Sequence, residues 1–223
     1  MKKIFLLANV LLVSTSTFAF TDNYYASVKV AYTDQKAKSM DTSLRPGIGQ
    51  FVAGDDKQHV TTPTIALGYD YQNNWRTEVE YSFEKDFEYT SGSTTFPTSF
   101  NHHKVKTQSM FLNAYRDVEV YENVSLFGSV GLGVAKVKSS GWQGNETRQY
   151  ASNTDTNLAY SIGAGVSYNP IQQVNVDLGY RYVDLGKVES GMNVFNNARG
   201  LQDEQMKAHL EKNEFYLGVR YKF

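Results

Sequence analysis

The sequence predicts an all-β fold: an eight-stranded antiparallel up-and-down transmembrane β-barrel with four long extracellular loops and three short periplasmic turns. Three observations lead there. Apolar residues recur at every second position through eight segments, which is the strand period. The connections between these segments alternate short and long. Aromatic residues make up 14% of 223 residues, with 16 Tyr and 13 Phe, at a mean hydropathy of −0.45 and without an apolar run long enough for a membrane helix. The same composition excludes other classes. Cysteine is absent, so there is no disulfide framework and no cysteine-based zinc site. The 22 basic and 23 acidic residues leave a net charge of −1, which gives no reason to expect nucleic acid as a partner.

The chain opens with Met1, Lys2 and Lys3, then an apolar run from Ile4 to Val13, then small Thr17 and Ala19 at the positions that precede a cleavage site. That is the layout of a secretory signal, so residues 1–19 are expected to be removed and residues 20–223 to form the barrel. The run of ten apolar residues is too short to anchor in a bilayer, and the lack of cysteine at the cleavage site excludes a lipoprotein.

The first segment sets Tyr24, Ala26, Val28, Val30 and Tyr32 against Tyr25, Ser27, Lys29 and Thr33. The second sets Pro63, Ile65, Leu67, Tyr69 and Tyr71 against Thr64, Ala66, Gly68 and Asp70. In the third, Trp75, Thr77, Val79, Tyr81 and Phe83 oppose Arg76, Glu78, Glu80, Ser82 and Glu84. The fourth, residues 104–116, is ambiguous: Met110, Leu112 and Ala114 form an apolar face, yet Phe111 and Tyr115 lie opposite. The fifth puts Val124, Leu126, Val130, Leu132 and Val134 against Ser125, Ser129, Gly131 and Gly133. The sixth puts Leu158, Tyr160, Ile162, Ala164, Val166 and Tyr168 against Ser161, Gly163, Gly165 and Ser167. Val174, Val176, Leu178, Tyr180 and Tyr182 then oppose Asn175, Asp177, Gly179 and Arg181. Last, Phe215, Leu217, Val219, Tyr221 and Phe223 oppose Glu214, Tyr216, Gly218, Arg220 and Lys222.

Residues 72–74, 117–123 and 169–172 read as tight turns, and residues 35–59, 85–103, 138–155 and 185–210 as long loops. Compact soluble domains seldom carry four such loops, whereas membrane barrels do. Glycine gathers on the polar faces, where it suits a crowded lumen. Those faces also carry charges of both signs in nearly equal number, as a buried polar interior requires. Aromatic residues sit near strand ends on the apolar face, where the rings fit the two membrane interfaces. These features turn the apolar face to lipid and the polar face inward.

The final strand ends in Phe223 with apolar residues at every second position before it, and it resembles the C-terminal signal that the barrel-assembly machinery reads in Gram-negative bacteria. The runs Gly131–Val134, Gly163–Tyr168 and Asp177–Tyr182 are similar to late strands of small outer-membrane barrels of the OmpA-like, opacity, NspA and OmpX type. The resemblance implies location in the outer membrane and contact with its lipid and lipopolysaccharide. It also implies that Phe215, Leu217, Val219, Tyr221 and Phe223 form the assembly signal. We expect no periplasmic peptidoglycan-binding domain of the kind that follows the barrel in OmpA.

An eight-stranded barrel has an interior just wide enough for side chains to fill. Lys29, Arg76, Glu78, Glu80, Asp177, Arg181, Glu214 and Arg220 are therefore expected to form a salt-bridge network in the lumen, serving as a structural plug or as the gate of a narrow pore. No catalytic set emerges. His59, His102, His103 and His209 fall in or beside the loops, adjacent His102 and His103 point to opposite sides of an extended chain, and the GxG runs lie inside strands. Neither metal nor cofactor is expected. Phe51, Phe87, Tyr89, Phe96 and Phe100 are expected to be exposed on the loops as contact residues for a host or matrix receptor, and residues 196–210 have the composition of a short surface helix. The expected function is that of a surface protein acting in adhesion or envelope integrity through its loops, with a small ion or solute channel as the alternative.

Overall fold

The computed structural model describes residues 23–42 and 49–223, so the signal segment lies outside the described residues. Eight long strands form one antiparallel ring: β1 (Tyr24–Thr42), β3 (Lys57–Asp70), β4 (Trp75–Ser93), β5 (Asn101–Tyr121), β6 (Val124–Gln143), β7 (Asn145–Ile171), β8 (Val174–Glu189) and β9 (Met206–Lys222). Each pairs with the next in sequence, and β9 returns to β1. A short strand, β2 (Phe51–Ala53), adds to the upper part of β4. At membrane level closure leaves no unpaired sheet edge, the condition for a sheet to stand in lipid.

In the lower half of the ring the faces fall as the period predicts. Leu67, Leu112, Leu132, Ile162, Leu178 and Leu217 are each more than half exposed, while Glu78, Glu80 and Glu214 are fully enclosed. The ambiguous segment resolves the same way: Met110 and Leu112 face out, and Phe111 and Tyr115 are buried inside. At the turn end, Tyr24, Tyr69, Tyr71 and Trp75 form a girdle, with Tyr24 and Tyr71 each packed edge-on against Tyr69.

The strands run well past the membrane. A tilted crossing needs about 9–11 residues; β5 has 21 and β7 has 27. Two of the expected long loops are therefore mostly strand, and a third is strand at both ends. Residues 138–155 fold as a hairpin turning at Gly144, which takes a positive φ of 71°. Residues 85–103 reduce to a connection at 94–100, and residues 185–210 to one at 190–205. The expected helix at 196–210 does not form. Met206, Ala208 and Leu210 alternate inward from the start of β9, and Asn193 and Asn197 tie the preceding loop through side-chain bonds to its backbone. Two of the three short turns are also tighter than the sequence suggests, because β5 continues to Tyr121 and β7 to Ile171.

Polarity reverses where the strands leave lipid. Lys38, Asp86, Lys104, Lys106, Lys136 and Lys138 occupy the outer wall, and Ala37, Phe87, Tyr89, Val105, Val137, Val183, Leu185 and Leu210 form an apolar core within. The cause is the solvent. In lipid the outer wall must be apolar, whereas above it the wall meets water and apolar side chains are driven to the inside. A bulge between Ser82 and Lys85 marks the switch on β4 and turns Glu84, expected inside, to the surface.

Candidate functional site: a neutral lumen beneath a filled crown

Two ionic groups occupy the membrane-level lumen. In the upper one, Lys29 on β1 bonds Glu78 and reaches Glu80 at 2.6 Å, both on β4. Arg181 on β8 spans to Glu80 and Glu214, each at 2.5 Å, and Lys212 lies 2.8 Å from Glu214. Three cations thus face three carboxylates, all enclosed. Tyr115 donates its hydroxyl to Glu78 at 2.5 Å, and Tyr25 donates to the same carboxylate at 3.3 Å. The lower group pairs Arg220 with Asp177 through two bonds of 2.6 and 3.0 Å, and Arg76 with Asp117 at 3.0 Å. The Arg76 guanidinium also lies over the Tyr115 ring, 3.7 Å from its centroid. Charge-assisted bonds of this kind, bidentate for Arg220 and Asp177, offset much of the cost of burying charged groups.

All eight residues that the sequence nominated for the lumen lie in these groups. Lys212, Asp117, Tyr25 and Tyr115 belong to them as well. Lys212 stands two positions before Glu214 on the same face, a period-two signal that falls between the last segment and the long loop before it. Tyr25 and Tyr115 had a visible signal in facing the polar side.

Above this layer lies a space of about 10 Å³ near Thr33, Gln35, Thr62 and Lys212, room for about one water. Above that again, the apolar core fills the ring. His103 is enclosed there and shares a 2.5 Å hydrogen bond with Ser139; burial lowers its pKa to about 4. His102 points outward, stacked on Trp142 and 2.9 Å from Glu88, so the two adjacent histidines diverge. Among the described residues, the ligand atoms of Asp184, His209 and Glu211 come within 4.8 Å of one another. These groups are already engaged: His209 and Tyr160 each lie 2.9 Å from Asp184, and Lys38 lies 2.6 Å from Glu211.

A closed, lipid-walled ring with this lumen is the architecture of an outer-membrane barrel, and residues 5–223 match the model described as the outer membrane protein beta-barrel domain. The chain belongs to that family. It resides in the outer membrane. Among curated relatives it is similar to the outer membrane protein PagN of Salmonella typhimurium, with 27% identity over 175 residues that cover 71% of each chain. It is also similar to a putative adhesin of Rickettsia bellii, with 29% identity over 127 residues, 53% of this chain and 54% of the relative. Among solved structures, neisserial surface protein A superposes with a TM-score of 0.51 at 20% identity, covering 91% of this chain and 98% of that one.

In this outer-membrane barrel the nominated loop contacts divide. Phe51 on β2 and Phe96 and Phe100 in the 94–100 connection are exposed. Phe87 and Tyr89 are not: they lie on β4, stacked with centroids 6.3 Å apart inside the apolar core. The reversal of polarity accounts for this, since both belong to a strand whose inner face is apolar. Val52, Met192, Val194 and Leu201 are exposed at the same rim and were not singled out from the sequence.

Proposed function

We propose that this barrel is a surface protein that acts through its extracellular rim, in an adhesive or similar contact role, with a lumen that does not conduct. The observation that carries this reading is the filling of the ring by a neutral ionic layer beneath a continuous apolar core. An ion crossing would meet a second barrier, free of charge and with little room for water, after the first. The exposed rim residues Phe51, Val52, Phe96 and Phe100 offer apolar contact area to a host or matrix receptor. Relatives named as adhesins support the same reading. The reading has no catalytic step, cofactor or nucleic-acid partner. Its other partners are outer-membrane lipid, lipopolysaccharide and, through Phe215, Leu217, Val219, Tyr221 and Phe223, the barrel-assembly machinery. Residues 1–19 serve as the cleaved export signal.

The test is display in a Gram-negative host that lacks adhesins, with residues 94–100 or 190–205 replaced by short glycine-serine turns, followed by binding to cultured cells and matrix proteins. The expected result is loss of binding in at least one replacement, with the barrel still assembled. Steady single-channel steps in planar bilayers, without binding that depends on the rim, would favour the channel.

A further inference from the structure

The upper edge of the lipid-facing band is aromatic around most of the ring, with Tyr32, Tyr81, Tyr160, Tyr180 and Phe215 exposed there. On β5 and β6 it is different. Met110 and Val134 end the apolar face, and the next outward residues are Gln108, Lys136, Lys106 and Lys138. Lys106 and Lys138 are directly paired across the two strands, an arrangement of like charges that is unfavourable unless something compensates it. Lys106 has Asp86 of β4 at 2.9 Å. Lys136 and Lys138 make no ion pair among the described residues, and their neighbours on β7 are Thr156 and Thr154.

On the opposite wall most of the cations are paired internally, Lys187 apart. There Lys38 pairs with Glu211 at 2.6 Å, Lys207 with Glu189 at 3.2 Å and His209 with Asp184 at 2.9 Å. Beside Lys138 the wall is concave, a groove of about 520 Å³ lined by Lys104, Lys106, Lys138, Ser140 and Ser152, with Asp86 and Glu88 on its β4 side and Lys136 one outward position nearer the lipid. That volume lies within the range of small-ligand sites, roughly 300–1,000 Å³. Lysine ammoniums beside hydroxyl donors, directly above the acyl-chain zone, suit phosphate at headgroup height.

We propose that the outer wall of β5 and β6 is a seat for the phosphate groups of an outer-leaflet lipid, centred on Lys136 and Lys138. The seat rests on the outer-membrane placement and makes the lipid partner specific to one side of the ring. Height selects the lipid: these lysines follow directly on Val134, while the exposed rim residues lie at the far strand ends.

The experiment uses the chain folded into phosphatidylcholine nanodiscs doped with a limiting fraction of phosphatidic acid. The readout is the phosphatidic acid kept per barrel after mild detergent extraction. The variants are Lys136→Gln with Lys138→Gln, the same pair changed to Arg, and Lys38→Gln with Lys207→Gln, two ion-paired lysines on the opposite wall. The first pair should lower retention by about twenty-five-fold, the product of roughly fivefold from each of two lysines near a lipid surface. The arginine pair should retain lipid, and the opposite pair should match wild type. Equal retention in all variants, or equal loss from both walls, overturns the seat. Competition by inorganic phosphate or heparin at micromolar concentration would show a soluble-anion site and overturn the lipid assignment. Failure of the wild-type chain to fold into the bilayer would instead count against the membrane placement itself, and heat-modifiable gel migration separates that outcome.

Discussion

Replacing Arg181 with methionine removes the cation that joins two carboxylates across the lumen while keeping most of the side-chain volume. In the folded barrel its guanidinium lies 2.5 Å from both Glu80 and Glu214. Without it, Lys29 and Lys212 face Glu78, Glu80 and Glu214, so the enclosed layer carries one net negative charge. Removing one partner of a buried pair costs about 3–5 kcal/mol. Glu80 keeps Lys29 at 2.6 Å and Glu214 keeps Lys212 at 2.8 Å, which places the expected loss at the lower end, about 3 kcal/mol. The assay is urea unfolding from phospholipid vesicles, followed by fluorescence of Trp75 and Trp142. A second variant adds Glu214→Gln, which restores neutrality and should recover part of the loss, with a coupling of at least about 1 kcal/mol between the two sites. A single variant within about 0.5 kcal/mol of wild type, or a double variant equal to the sum of the singles, would refute a charge-balanced lumen.

Leu217→Arg puts a cation on the lipid face of β9, where Leu217 is 56% exposed, and should destabilise the barrel by about 2–4 kcal/mol in the same assay. Leu210→Ala opens a cavity in the crown, where Leu210 is fully enclosed, and should cost about 2–5 kcal/mol, read as a lowered urea midpoint. Gly165→Val sets a Cβ 2.4 Å from the Leu178 carbonyl oxygen and the same distance from the Phe127 ring, so overpacking should cost about 1–3 kcal/mol, seen as reduced yield of heat-modifiable barrel. His103 titrates at about 4 when folded and near its ordinary 6.5 when unfolded. Between those values the unfolded chain binds more protons, so stability falls as pH falls, by about 3 kcal/mol across the window. His103→Asn should flatten that part of the pH profile, and an unchanged slope would exclude His103 as its source.

The membrane-level strands are legible because lipid imposes one rule on outward positions: apolar residues such as Val28, Leu67, Leu132 and Leu217 recur at period two along their strands, with few breaks such as Thr77 and Gly128. The lumen charges followed from the opposite faces. What the sequence concealed was the continuation of the strands, since the pattern does not stop above the membrane but inverts. Val105, Val137 and Leu210 point inward there, between Lys104, Lys106, Lys136, Lys138, His209 and Glu211. Read with apolar residues outward, such stretches lose their register and look like polar loops. The ambiguity of residues 104–116 was the visible trace of this inversion, because Phe111 joins the crown core and Tyr115 the ionic layer. Phe87 and Tyr89 read as loop contacts for the same reason. Cross-strand partners such as Lys212 and Asp117 depend on register, which the period alone does not give.

A nitroxide scan along β9 tests the inversion in a single strand, and the absence of native cysteine makes each labelled position unambiguous. Labels at positions 215, 217 and 219 should be relaxed by lipid-soluble oxygen, and labels at 207, 209 and 211 by a water-soluble nickel chelate. Labels at 208, 210, 214 and 216 should be reached by neither. Oxygen access at 208 and 210 would contradict a water-surrounded crown with an apolar core, and nickel access at 214 and 216 would contradict a closed lumen.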